Sequence, residues 1–180
     1  MMLVEETQVP EVALPVAELK RHLRLGTGFA EDDIQDPVLG SFLRAAMAAI
    51  EARTGKALIE RGFVITLSEW RNADMQELPV SPVSALNELA VIDAYGVATV
   101  IDPGRYRLAK DAFTPKLAAM GAMLPTVPPG GAIEIRLTAG YGPSFADIPA
   151  DPQQAVPLLA AHSHQHRDAT APPPASPPPP

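Results

Sequence analysis

The chain has 180 residues, a formal charge of −7, no cysteine, 47% hydrophobic residues and only 5% aromatic ones. That length supports one ordinary domain with a real core, and the lack of thiols excludes a disulfide framework, a thiolate zinc site and a cysteine nucleophile. Lys and Arg are scattered along the chain, which leaves no basic footprint for gripping phosphates. No apolar run approaches the ~20 residues of a membrane span, and the acidic Glu5-Glu6 start lacks the basic region of a signal peptide, so a soluble cytoplasmic protein is expected.

Residues 1–13 read as an N-terminal arm. Pro15 then opens a helix expected over 15–25: Val16, Leu19 and Leu23 share a face, Lys20, Arg21 and Arg24 complement the C-terminal dipole, and Gly26 stops it. A polar loop follows through Asp33. Asp36-Pro37 is an N-cap followed by proline, opening a helix over 36–54 with the stripe Leu39, Leu43, Met47 and Ile50 and with Gly55 as its stop.

After Gly55 the texture changes to period two, and a β region is expected over 57–138. Phe63, Ile65 and Leu67 alternate with Val64, Thr66 and Ser68 in a strand that ends near Trp70. Two prolines make residues 78–83 an edge or a connector. Segments 88–92 and 97–101 flank Asp93 to Gly96 as a hairpin, 105–109 and 132–138 are further strands, and 120–131 is a flexible Pro/Gly-rich loop. Ala150-Asp151-Pro152 repeats the N-cap and proline signature and launches a helix over 151–167. The order helix, helix, strands, helix gives an α+β fold: three helices packed together, with an antiparallel β layer inserted between the second and third. Domain boundaries at 14–168 leave 169–180 as a tail. Its last ten residues hold seven of the 21 prolines, a composition for extended polyproline II that orders only on a partner.

Chemistry-bearing patterns are few. His162 and His166 are one helical turn apart and could share a divalent metal in a metal-dependent enzyme, but His164 points elsewhere and no third ligand is evident. The plainer reading is a helix end with histidines near the C-terminal dipole. Glu31, Asp32, Asp33 and Asp36 lack the alternation, central glycine and distal glutamate of a calcium loop. Gly140-Tyr141-Gly142 is a turn and not a dinucleotide fingerprint. No nucleophile–base arrangement or carboxylate pair stands out, so no catalytic residue, metal or cofactor is expected. A scaffold role, with the tail feeding an SH3- or WW-type groove, is weakened by the lack of flanking Arg or Lys.

Several segments, in order, carry a resemblance: 20–24 (KRHLR), 50–59 (IEARTGKALI), 78–83 (LPVSPV), 133–142 (IEIRLTAGYG), 148–151 (IPAD), Gln154-Ala155, 158–162 (LLAAH) and Arg167. Over residues 14–168 the chain resembles the head–tail connector, or adaptor, proteins of tailed phages and phage-derived gene transfer agents. Pro157 departs from the family's aliphatic preference, and Ser163 and His164 replace its usual aromatics.

The resemblance implies a non-enzymatic virion or phage-like-particle protein, assembled in the host cytoplasm as a dodecameric ring beneath the portal. Such a ring extends the DNA channel without specific DNA binding and docks a tail-side stopper or tail terminator protein. It also implies a portal-binding surface, expected at His162, His166, Arg167 and the tail prolines Pro172, Pro173, Pro174, Pro177, Pro178, Pro179 and Pro180.

Overall fold

The computed structural model describes residues 1–25, 35–121 and 123–166. Arg167, the Pro-rich tail and the polar loop expected through Asp33 lie outside the described residues. Elements run in the order β1 (Met2–Glu5), α1 (Val16–His22), α2 (Asp36–Thr54), β2 (Arg61–Leu67), β3 (Met75–Glu77), β4 (Val83–Ile92), β5 (Ala98–Val100), β6 (Tyr106–Ala109), β7 (Lys116–Ala119), β8 (Ala132–Ala139) and α3 (Ala150–Gln165). The α+β order and the three helices are as expected. The β region is two antiparallel sheets where one layer was expected: β1-β2-β8-β4-β5 and β3-β7-β6.

Alternation builds the larger sheet. Phe63, Ile65 and Leu67 on β2 and Ile133, Ile135 and Leu137 on β8 all face inward and are buried. Register aligns Ile65 and Leu89 on either side of Ile135, a fully buried row across three strands. Tyr106, Leu117 and Leu124 join the same cluster, so the small sheet covers that inner face. A second cluster holds Leu19 of α1, Leu39, Leu43 and Met47 of α2, and Val156 and Ala160 of α3, with Leu58, Ile59, Phe145 and Ile148 from the connections.

Several boundaries depart from expectation for physical reasons. The arm contributes β1 as an edge strand of the larger sheet, with Leu3 opposite Ile65. Helix α1 stops at His22 because Arg24 takes a left-handed φ of 54° and the N–H groups of Leu25 and Arg24 return to the carbonyls of Lys20 and Arg21. That Schellman closure precedes the expected stop at Gly26. Asp36 and Asp151 are not caps: Gln35 and Pro149 hold the N-cap positions, and the two carboxylates sit inside the first turns. Asp36 meets Lys20 at 2.5 Å, tying α2 to α1. Helix α3 runs unbroken across Pro157, which has no N–H to offer the carbonyl of Gln153.

Strand β4 begins at Val83, five residues before its expected start, and its bulges near Val83–Ala85 and Leu86–Glu88 break the alternation that would have revealed it. The described residues of segment 120–131 have no regular structure yet are anchored: Trp70 Nε1–H donates to the Pro125 carbonyl at 2.7 Å and Leu124 N–H to that of Ala73 at 2.8 Å. Two glycines show why they stand where they do. Gly55 ends α2 at φ 68°, and at Gly140, φ 139°, a Cβ would stand 2.3 Å from Glu60 Cα.

Candidate assembly surfaces

Two arginines organise the charge on the larger sheet. Arg61 shares the inward parity of Phe63 and Ile65, so its guanidinium is buried and needs partners. Glu51 of α2 takes it in two bonds of 3.0 and 2.7 Å, Glu5 of β1 pairs with Nε at 2.9 Å, and the Ile59 carbonyl accepts at 3.1 Å. Burial works against its charge, but the Glu51 bonds and the charges of Glu51 and Glu5 prevail and hold it more firmly protonated. One side chain thus joins the arm, α2 and the sheet. An inward-parity arginine was the sequence signal for this hub, and reading the strand by its apolar residues alone passes over it.

Arg136, on the outward parity of β8, is surrounded by Glu134 at 2.7 Å, Glu88 at 3.6 Å and Glu6. The hydrogen bond to Glu134, then the charges of Glu134 and Glu6, hold it protonated. Three carboxylates around one guanidinium leave this outer face net acidic.

The histidines end α3. The rings of His162 and His166 stack at 4.3 Å with a 34° tilt, and His166 Nδ1–H donates to the His162 carbonyl at 2.9 Å. That bond occupies one nitrogen of His166, and stacked rings do not converge on a shared ion. Among the described residues no group of three His, Cys, Asp or Glu could hold a metal. His164 leaves on another side and meets the Phe42 ring edge-on at 5.4 Å, helping to seat α3 on α2. Substituting His162 and His166 together by Gln is expected to leave particle assembly intact and zinc without effect on Tm. Assembly lost in the variant, together with zinc-dependent assembly of the unsubstituted chain, would contradict this.

Two further surfaces were not singled out in the sequence. The 93–97 hairpin tip carries Tyr95, 93% exposed, followed by exposed Val97 and Val100. Asp93 Oδ1 accepts from the N–H groups of Tyr95 at 2.8 Å and Val97 at 2.9 Å, which fixes the turn. Elsewhere a groove of about 520 Å³ runs between the arm and α2, lined by Val12, Leu14 and Val16 on one wall and Pro37, Gly40 and Arg44 on the other. Val12 is 97% exposed. Arg44 is fixed at the groove's end by donating to the Val9 carbonyl at 2.8 Å.

No family model matches the chain, and no curated protein matches it. Solved structures do. The chain is 53% identical, with a TM-score of 0.87, to a chain of the neck of an empty gene transfer agent particle computed with C6 symmetry, over 92% of its own length and 84% of that chain. It is 52% identical, TM-score 0.85, to a chain of the virion of a native gene transfer agent particle, covering 97% of itself and 90% of that chain. It is 48% identical, TM-score 0.83, to a chain of the neck of a native particle computed with C12 symmetry, covering 97% and 89%.

Proposed function

This chain belongs to the head–tail connector family of tailed phages and gene transfer agents, and from that premise we propose that it is a ring-forming structural subunit of the neck. Its place is in the phage-like particle. In this reading the ring lies under the portal, extends the DNA channel and offers the tail-side stopper or terminator protein a docking surface, with no catalytic step and no cofactor. The observation that carries it is identity near one half over almost the whole chain to components of a neck computed with six- and twelve-fold symmetry.

The physical chemistry supports the same role. A closed ring joins its copies head to tail, so two different surfaces of each copy must be complementary. A formal charge of −7 and an acidic outer sheet face repel phosphates, which suits a conduit through which duplex DNA slides without specific binding. The Pro-rich tail, which follows His162, His166 and Arg167 in the chain, is the segment we assign to the portal. Restricted φ lowers the ordering cost of each tail, and repetition around the ring multiplies a weak contact.

The mass of the purified chain, measured alone and with portal protein, tests this reading. The expected result is about twelve copies on each portal ring, in keeping with the C12 symmetry with which a similar neck was computed. A chain that stays monomeric in the presence of portal would contradict it.

A further inference from the structure

We infer that neighbouring copies in the ring interlock through the two surfaces just described: the 93–97 tip of one copy, led by Tyr95, seats in the groove between the arm and α2 of the next. This rests on the ring reading and names the contact that closes it.

The topology separates the two surfaces. Strands β1 and β5 are the opposite edges of the five-stranded sheet, four strand steps or about 19 Å apart. The register separates them along the strands as well. Ile92, at the base of the tip, pairs with Ala132, whereas the arm leaves β1 from Glu5, which pairs with Phe63 toward the far end of β2. Tip and groove therefore occupy diagonal corners, and no copy can place its own tip in its own groove. A second copy can, and a contact between two different surfaces of identical copies is the kind that generates a ring.

Apolar side chains lead both surfaces, and Glu11 and Asp36 also line the groove. Tyr95 is an aromatic body with a polar end, the type that dominates interface energetics, and Val97 follows it with more exposed apolar surface. The Asp93 bonds hold the tip in one conformation, so little ordering entropy is lost on docking. On the groove side Pro37, Gly40 and Arg44 lie at i, i+3 and i+7, one stripe of α2. Gly40 is buried in the floor, where a Cβ would stand 3.7 Å from Leu14 Cδ1, and the tethered Arg44 at the end is placed to meet a phenol oxygen or an aromatic face. Val12 and Tyr95, both almost wholly exposed in the single copy, lose water together when the copies join.

The chain has no cysteine, which makes the test clean. Val12→Cys and Tyr95→Cys are placed singly and together in the full chain, and assembled particles are treated with a short bis-maleimide. Both sites are exposed, so folding is not at risk. The double variant is expected to give a ladder of covalent multimers toward the full ring, and each single variant none. A ring present at its normal copy number with no ladder would overturn the interlock and leave the ring reading standing. A dimer from Tyr95→Cys alone would also overturn it, because the tips would then meet each other. Particles of the unsubstituted chain that hold no ring would defeat both. As a second measurement, Tyr95→Asp is expected to lower incorporation into particles at least tenfold with Tyr95→Phe near normal and Tm unchanged in both; normal incorporation of Tyr95→Asp would overturn the interlock.

Discussion

Replacing Arg61 by methionine is expected to cost the fold roughly 3 kcal/mol, because it strands a buried carboxylate. Glu51 is largely buried and both its oxygens face the guanidinium, at 3.0 and 2.7 Å, so methionine leaves that charge with the Leu58 N–H at 2.7 Å and without its cation from β2. Glu5 reaches solvent and softens the loss, which sets the figure at the low end of what breaking a buried pair costs. For a domain of this size the loss lowers Tm by on the order of 10 °C. The double variant Arg61→Met/Glu51→Gln should recover much of it, since the neutral amide oxygen needs no counter-charge and can still accept the Leu58 N–H that Glu51 accepts at 2.7 Å. Arg136→Met is the control. Its side chain is 39% exposed and its three carboxylates can turn to water, so its loss should leave Tm close to that of the unsubstituted chain. Equal melting of the Arg61→Met variant and the unsubstituted chain would contradict the account of how arm, α2 and sheet are held together.

Deleting residues 169–180 is expected to leave Tm unchanged and to reduce tailed, gene-transferring particles at least roughly tenfold, as contacts repeated around a ring are lost together. The tail's prolines and its Ala and Ser have little to add to a core, so the folded body should not register their loss. Heads should then accumulate without this chain. Truncated protein that still yields normal numbers of functional particles would make the tail a passive linker and end its assignment to the portal.

Long periodic segments were legible in the sequence, as were the short β5 and β6, but β1, β3 and β7 were not. The stripe of Leu39, Leu43 and Met47 gave α2, and strict alternation gave β2 and β8, because each buries a whole face in one cluster. Strand β1 is exposed along its full length and alternates with nothing, and β3 and β7 bury one residue each, Gln76 and Leu117. Helix ends moved too: the bonds from Leu25 and Arg24 closed α1 before glycine could. The surfaces were the least legible. Tyr95 read correctly as part of a turn, but its exposure, and the approach of Leu14 to Gly40 beneath the groove, depend on contacts distant in sequence.

The central claim is that this chain is the ring through which head and tail are joined. Electron microscopy of particles from cells that lack the chain, with and without its return on a plasmid, tests that most directly. The account predicts DNA-filled or emptied heads with no tails attached, free tails beside them, and restored joined particles when the chain is returned. Joined particles that transfer genes at the normal rate in its absence would contradict it.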